Sequence, residues 1–405
     1  MVEVMKHALG LGRQKHEYLL QNVQLVDVAA GEVKEKSVLH IRDGLIEGVY
    51  SSGENLPRVA ECMDGQGRYA LPGLIDLHVH LVWDGSPSPL TTMRDEGVYQ
   101  ALGRGIANAQ ASLAQGVTTV RDVGSVDNVA VDIMALVDRG VLLGPDVVAA
   151  GSIIQPTGGH VPELGHIADS PDELVKAVRT MKARGAAAIK VASTGGAYGP
   201  EEIGPSLYSQ KDLEIIVREA HRLGMKVASH SLGKIGIENA VCAGVDTIEH
   251  GADIADEVLQ LMKRQGTFLV PTLAVYKKLS ESSGEIPEAY VEKSRTVTAW
   301  HQDTFRRAMA LGVGIALGTD AGSPNFGPHP SVFVEMQAME AYGMKAPDIL
   351  RCATCAAAKA LGREATVGSL EEGKQADLLL VKENPLQKLA ALFTDKKVIA
   401  KGVTL

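Results

Sequence analysis

The sequence of 405 residues is poor in several features that mark common protein classes. Its four cysteines (Cys62, Cys242, Cys352 and Cys355) are too few and too scattered for a disulfide framework. Aromatic residues make up only 4%, with two tryptophans, which argues against a stacking platform for bases or sugars. Because the formal net charge is −9, nucleic acid and anionic membranes are unsuitable as main partners.

The sequence also lacks an apolar run long enough to cross a bilayer. Its most apolar stretch, residues 141–154, is interrupted by Gly144 and Pro145. Near the N-terminus, Glu3 and Lys6 stand where a signal peptide would have its apolar core. We therefore expect a cytoplasmic protein that acts on a small molecule, without a nucleic-acid or membrane partner, and that forms a homo-oligomer.

The central part of the chain alternates regularly between strand-like and helix-like segments. Between residues 69 and 361, eight apolar strand-like runs are separated by amphipathic stretches of helical period. This count and length are typical of a (β/α)8 TIM barrel, an α/β fold. The runs are 74–80, 117–123, 146–150, 187–192, 226–230, 247–250, 267–271 and 314–319.

Both ends of the chain have the pattern of β-strands. Residues 17–62 contain alternating segments with Asp43-Gly44 as a hairpin turn, and strand-like segments return at 375–381 and 397–400. We expect the two ends to form one small β-sandwich-like domain beside the barrel. The predicted division assigns 1–68 and 366–405 to this β-domain and 69–365 to the barrel.

The first predicted barrel strand ends in a group of polar residues. Asp76, His78 and His80 are two positions apart, so they share one face of the strand and point into the barrel. Two imidazoles at that spacing can hold one metal ion. A surface pair of histidines is the alternative for such a motif on its own.

Three further side chains of ligand type end other predicted strands. His230, His250 and Asp320 close the fifth, sixth and eighth runs. A barrel of this kind has its active site at the face formed by the carboxyl ends of its strands. Four separate strand ends therefore bring nitrogen and oxygen ligands to one place, which favours a metal centre.

Lys190 lies at the end of the fourth run among apolar neighbours. An ammonium there would be desolvated and would repel a metal ion held by the histidines. A carbamate formed with carbon dioxide would be anionic and could bridge two divalent ions. A Schiff-base lysine, or a lysine that reaches past the strand end to solvent, is the alternative.

These motifs together resemble those of the amidohydrolase superfamily, which are metal-dependent hydrolases on a (β/α)8 barrel. The resemblance is to the binuclear branch with a carboxylated lysine, and specifically to the imidazolonepropionase-related and Xaa-Pro dipeptidase-like (prolidase-like) group. It covers nearly the whole chain. Its marks are PGLIDLHVH at 72–80, GVTTVRD at 116–122, IKVASTGG at 189–196, IEHG at 248–251, GTDAG at 318–322 and GSLEEGKQAD at 368–377.

The resemblance implies a metal site and a mechanism. His78, His80 and Asp320 would bind the more buried of two divalent ions, and His230 and His250 the more exposed one. Carboxylated Lys190 and a hydroxide would bridge the two ions, for which zinc is the first candidate. The bridging hydroxide would attack the scissile carbonyl, and Asp320 would carry the proton to the leaving amine.

Candidates for substrate contacts come from the loops. His160 belongs to a Gly-Gly-His that prolidase-like relatives carry, and it would hydrogen-bond the carbonyl oxygen or the tetrahedral intermediate; a loop histidine without a role is the alternative. Those relatives place an aromatic hydroxyl after the fifth-strand histidine to hold a substrate carboxylate, whereas here Ser231 follows. Tyr208 is a candidate to replace that hydroxyl, and His329 is a candidate to line the pocket.

The sequence thus predicts a hydrolase that cleaves the amide bond of a dipeptide or an N-acyl amino acid. A cyclic-amide hydrolase resembling imidazolonepropionase is an alternative, but relatives of that kind use one metal and lack the bridging lysine. Hydrolysis of lactones or phosphotriesters would suit the same binuclear site. A non-catalytic scaffold is a further alternative, although such proteins lose ligands and all six positions are present here.

Overall fold

The computed structural model describes residues 16–51 and 53–405. Of the predicted N-terminal part of the β-domain, residues 1–15 and Ser52 therefore lie outside the described residues, and so do Glu3 and Lys6. Among the described residues, no helix has both the length and the apolar character that crossing a bilayer requires.

The described residues form seventeen strands and twelve α-helices. In chain order the strands are β1 (Glu17–Asp27), β2 (Glu32–Arg42), β3 (Leu45–Tyr50), β4 (Glu61–Asp64), β5 (Tyr69–Pro72), β6 (Leu74–Val79), β7 (Val117–Asp122), β8 (Asp146–Ala149), β9 (Ile153–Gln155), β10 (Gly165–Ile167), β11 (Ala188–Ala192), β12 (Lys226–Ser231), β13 (Thr247–His250), β14 (Phe268–Val270), β15 (Leu378–Val381), β16 (Lys396–Ala400) and β17 (Val403–Thr404). The α-helices span Pro89–Glu96, Val98–Ala114, Val129–Asp138, Pro171–Ala183, Gln210–Arg222, Lys234–Ala243, Asp256–Gln265, Leu273–Ser280, Glu288–Leu311, Val332–Ala341, Ala346–Cys352 and Cys355–Leu361.

The two ends of the chain share one eight-stranded sheet, as predicted. Its order is β17-β16-β15-β5-β1-β2-β3, with β4 pairing with β1. A bridge between Leu45 and Gln375 links β3 to the segment before β15. The sheet has its own apolar core, which includes Leu20, Ile41 and Leu378. The β2–β3 hairpin turns at Asp43-Gly44, where both residues have the positive φ angles that a tight hairpin turn requires.

Eight parallel segments form the (β/α)8 barrel. Strands β6, β7 and β8 pair in order, and strands β11 to β14 pair in order. The amide of Ala187 donates to the carbonyl of Ala149 at 2.8 Å, which joins the two groups. The eighth segment is irregular, and its isolated bridges from Ile315 to Leu269 and from Ala321 to Val79 close the ring.

The passage from sheet to barrel is short. Strand β5 pairs within the terminal sheet, and β6 begins the barrel after Gly73. A Cβ atom on Gly73 would lie 2.1 Å from Oγ1 of Thr118 on β7, so only glycine fits at this junction of β5 and β6. The first barrel strand is thereby held directly against the second, and this places the carboxyl end of β6 at the barrel mouth.

Candidate metal centre

The first barrel strand directs two histidines into the barrel. His78 and His80 are buried on the same face of the chain because strand side chains alternate. Asp76, on that face, does not join them at the mouth. Its carboxylate accepts hydrogen bonds from the amide and the hydroxyl of Thr319, at 3.0 and 2.7 Å. Asp76 therefore ties the irregular eighth segment to β6 and fixes the position of the next residue, Asp320.

Asp320 lies between the two histidines. Its Oδ1 is 3.7 Å from Nε2 of His78 and 3.5 Å from Nε2 of His80. The ring of His250 lies 4.9 Å from that of His78 and 4.6 Å from that of His230, measured between centroids. His78, His250 and Asp320 each offer a ligand atom, and these three atoms lie within 4.8 Å of one another. The structure thus brings together these predicted ligands from four strand ends.

Lys190 completes the group from the middle of β11. Within the described part of the chain, neither its Nζ nor Oδ1 of Asp320 has a hydrogen-bond partner, although both atoms are buried. Buried polar atoms are nearly always paired, so two unpaired atoms at one place indicate a binding site. With the imidazoles around them, these atoms form a donor set that suits divalent ions.

The ionisation of the histidines suits metal binding. Burial lowers the pKa of His80 to about 3, and it lowers the pKa values of His78, His230 and His250 well below the ordinary value. At neutral pH these imidazoles are therefore uncharged, which is the form that coordinates a metal. Burial also lowers the pKa of Lys190, to about 8, so its neutral amine is accessible.

A second layer of hydrogen bonds orients the imidazoles. Nδ1 of His78 contacts the carboxylate of Glu249 at 2.7 Å, and the same carboxylate accepts a hydrogen bond from Arg121 at 2.7 Å. Nδ1 of His80 bonds the carbonyl of Gly124 at 2.9 Å, and Nδ1 of His250 contacts the hydroxyl of Thr272 at 2.7 Å. Such partners fix the ring orientation and leave Nε2 of these three imidazoles free for a ligand. In His230 the roles are exchanged, because its Nε2 bonds the carbonyl of Gly195 at 3.1 Å and leaves Nδ1 free. Arg121, Glu249 and Thr272 were not among the predicted site residues.

Backbone strain is concentrated around the same group. His250 and Asp320 have φ angles of 68° and 62°, and Val161 in the cavity wall has 51°. A β-branched residue such as valine rarely adopts this left-handed conformation. Strained backbone of this kind persists only where the surrounding structure over-determines it, and it clusters at functional sites.

A small enclosed cavity stands over the group. Its volume is about 20 Å³, enough for roughly one water molecule, so a larger ligand requires the covering loops to move. The lining residues are His78, His80, Trp83, Ile153, His160, Val161, Lys190, Tyr198, His230, His250, Tyr276 and Asp320. All six predicted metal ligands and His160 therefore line the same cavity.

Two predicted substrate residues lie elsewhere. The hydroxyl of Tyr208 donates to the carbonyl of Ala168 at 2.7 Å, so it supports a loop and does not reach the cavity. His329 is buried with its Nε2 close to Gly322 and is likewise outside the cavity lining. The aromatic hydroxyls at the cavity belong to Tyr198 and Tyr276, and that of Tyr198 donates to Oδ2 of Asp320 at 3.0 Å.

Comparison with known proteins agrees with this geometry. A sequence model of the amidohydrolase family matches residues 69–405. Ochratoxinase of Aspergillus niger is 30% identical over 414 residues, covering 91% of this chain and 82% of that protein. Its crystal structure has a TM-score of 0.85, with 27% identity over 96% of this chain and 95% of that one.

Two further relatives correspond to the group that the sequence motifs resemble. The crystal structure of a Xaa-Pro dipeptidase with methionine bound in its active site has a TM-score of 0.87 and 30% identity, covering 96% of this chain and all of the other (100%). Imidazolonepropionase of Mesorhizobium japonicum is 28% identical over 408 residues, covering 89% of this chain and 90% of that protein.

Proposed function

The chain belongs to the amidohydrolase family, and from that premise we propose that it is a metal-dependent hydrolase that cleaves the amide bond of a dipeptide or an N-acyl amino acid. The observation that carries the proposal is the enclosed ring of histidines around Lys190 Nζ and Asp320 Oδ1, two buried atoms without partners among the described residues. The relative whose active site holds methionine is a dipeptidase, which supports an amino-acid-like substrate.

Two divalent ions, with zinc as the first candidate, would fit the donor set. His78, His80 and Asp320 would hold one ion, and His230 and His250 would hold the other, with carboxylated Lys190 shared between them. When bound, the ions would polarise the scissile carbonyl and lower the pKa of an attacking water.

Lys190 joins this set only after a chemical change, because its ammonium would repel cations. Its neutral nitrogen would add to the carbon of carbon dioxide, forming an N–C bond and releasing one proton. The product is an anionic carbamate with two oxygen ligands. Burial favours this reaction, since it lowers the pKa of Lys190 to about 8 and makes the neutral amine accessible.

Asp320 is the proposed proton shuttle. Its Oδ1 faces His78 and His80, while the hydroxyl of Tyr198 holds Oδ2 at 3.0 Å. The carboxylate would take a proton from the attacking water and deliver it to the departing nitrogen. That second transfer matters because an unprotonated amine leaves poorly.

His160 would stabilise the oxygen of the scissile carbonyl as negative charge develops on it. The ring lines the cavity and stacks on His230, with 4.3 Å between the ring centroids. A hydrogen-bond donor placed in advance at this oxygen acts mainly on the transition state. We therefore propose His160 as a second catalytic residue.

The rest of the cavity wall is apolar or aromatic and suits an uncharged group beside the scissile bond. This wall consists of Trp83, Ile153, Val161, Tyr198 and Tyr276. Two groups of that wall can also bind polar substrate atoms. The indole nitrogen of Trp83 has no partner among the described residues and would donate, whereas the hydroxyl of Tyr198, which donates to Asp320, would only accept. We accordingly propose apolar dipeptides or N-acyl amino acids as substrates.

A substrate screen tests the proposal. Protein loaded with zinc in bicarbonate buffer would be incubated with apolar and charged dipeptides, N-acyl amino acids, a cyclic amide, a lactone and a phosphotriester. Release of free amine from the linear amides, absent in Asp320→Asn, is the expected result. Turnover confined to the lactone, the phosphotriester or the cyclic amide would contradict it.

A further inference from the structure

The loop that follows β11 contains a carboxylate that contacts His160. Oε1 of Glu201 lies 2.5 Å from Nδ1 of His160. The same oxygen accepts the backbone N–H of Gly196 at 3.2 Å. Both side chains are largely buried, with exposed fractions of 6% for His160 and 12% for Glu201. The pair is therefore a shielded hydrogen bond at the edge of the cavity.

Glycines make this close approach possible. A Cβ on Gly196 would lie 2.1 Å from Cε1 of His160, and a Cβ on Gly199 would lie 1.8 Å from Oε2 of Glu201. Any side chain at either position would displace one member of the pair. The loop of residues 195–201 thus packs tightly against His160 and leaves no room for side chains at Gly196 or Gly199.

A helix that follows β14 in the chain anchors the same loop. Nζ of Lys293, on the helix Glu288–Leu311, donates to the carbonyls of Gly199 and Glu201 at 2.5 and 2.6 Å. On its other side, the His160 ring stacks on His230 with an interplanar angle of 26°. Nδ1 of His160 is bonded to Glu201, and the stacking on His230 holds the plane of the ring. Nε2 is therefore the ring nitrogen that remains for a contact in the cavity.

We propose that Glu201 is a positioning residue: its carboxylate accepts the Nδ1–H of His160 and fixes the ring orientation, so that Nε2 faces the cavity and donates to the substrate carbonyl oxygen when it too carries a proton. The identity of the group that Nε2 meets rests on the proposed function, whereas the Glu201–His160 pairing does not. Removing the hydrogen-bond partner of a metal-binding histidine typically changes activity or affinity by about 10- to 100-fold, and we expect the same scale for His160. Glu201 itself has no place in the cavity lining, so its effect must pass through His160.

A double-mutant cycle tests this role. In Glu201→Ala we expect kcat/KM to fall by about 10- to 100-fold with kcat carrying most of the loss and with unchanged metal content. The double variant Glu201→Ala with His160→Ala should be no worse than His160→Ala alone, because the two residues act as one unit. Glu201→Gln, which keeps an oxygen acceptor for Nδ1, should stay closer to the wild type.

The exposed neighbour Glu202 provides a matched control. Glu202→Ala changes the same loop and removes the same charge but should leave kcat and KM unchanged. Equal losses in Glu202→Ala and Glu201→Ala, or additive losses in the double variant, would overturn the inference.

A second readout does not depend on turnover. Nitrogen-15 spectra of histidine-labelled protein, with His160 assigned from His160→Gln, report which ring nitrogen carries the proton. We expect a proton on Nδ1 in the wild type and in Glu201→Gln, with or without a second proton on Nε2, and a change of this Nδ1 signature in Glu201→Ala. A wild-type proton on Nε2 with Nδ1 bare would overturn the inference. If the amide screen fails while this signature is present, the proposed function falls and the positioning role stands.

Discussion

Replacing Glu249 by glutamine should weaken both the fold and the metal centre. The carboxylate is fully buried and accepts hydrogen bonds from Nδ1 of His78, from Arg121 and from the hydroxyl of Thr247. Arg121 is also buried, and it further donates to the carbonyl of Leu77 at 2.7 Å. A glutamine has one acceptor oxygen, so its NH₂ group must face either the guanidinium or the imidazole N–H.

The size of the effect follows from this burial. Removing one partner of a buried ion pair costs about 3–5 kcal/mol because it leaves an uncompensated charge. The loss of the His78 partner should separately lower metal affinity by about 10- to 100-fold. The double variant Arg121→Met with Glu249→Met removes both charges, so it should recover part of the stability and none of the metal affinity.

Two measurements separate these effects. Denaturant unfolding of the metal-free protein reports the stability loss, and competition with a chromophoric zinc chelator reports the affinity. Glu219→Gln is the control, because Glu219 also bonds two arginines, Arg179 and Arg222, but their side chains are 60% and 57% exposed. Surface pairs contribute little, so its loss should be far smaller. Wild-type unfolding and wild-type zinc affinity in Glu249→Gln would refute the orienting role of this carboxylate.

Three further predictions concern other buried groups. Lys190→Ala should lose metal and activity, with partial recovery when short carboxylic acids replace the carbamate; full metal content without any rescue would exclude the bridging role. Asp320→Asn keeps the shape of the side chain but cannot carry a proton, so kcat should fall by about 10²- to 10⁴-fold with some metal retained, and near-normal kcat would identify another shuttle. The side chain of Glu335 accepts hydrogen bonds from the backbone amides of Leu273 and Ala274, at the start of the helix Leu273–Ser280. Burial raises the pKa of Glu335 to about 8. The folded protein therefore holds this proton where the unfolded chain has lost it, so the contribution of Glu335 to stability should fall as pH rises from about 5 to 8. The buried histidines, whose pKa values are lowered, contribute in the opposite direction below about pH 6.5. Glu335→Gln cannot ionise, so over this pH range its stability should fall less, or rise more, than that of the wild type; an identical slope in denaturant titrations of both proteins would show that Glu335 gains no proton on folding.

Much of the fold and the site centre was predictable because both depend on local periodicity. His78 and His80 share a face by the two-residue period of a strand, and His230 and His250 end strand-like runs. Once eight runs indicate a barrel, its topology alone brings those ends together. The eighth barrel segment was predicted because it is an apolar run followed by Asp320. In the structure only isolated bridges pair this segment with its neighbouring strands.

The loop residues were not predictable in the same way. Tyr198 and Tyr208 lie in one loop after β11, and nothing in the local pattern tells which hydroxyl faces the cavity. Tertiary packing decides this, through the anchoring of the loop by Lys293. Glu249 and Arg121 were missed because their partners lie on other strands across the barrel. Each of them is a charged residue in the middle of an apolar run, and this was the one feature of the local sequence that indicated a buried charged partner, because an unpaired buried charge is costly.

The central claim is that the histidines, Lys190 and Asp320 form a two-metal site. Elemental analysis of protein purified with zinc and bicarbonate and then freed of loose metal by gel filtration tests it most directly. We expect about two zinc ions per chain in the wild type, with a clear loss in Lys190→Ala. A wild-type chain that binds one ion or none under these conditions would contradict it.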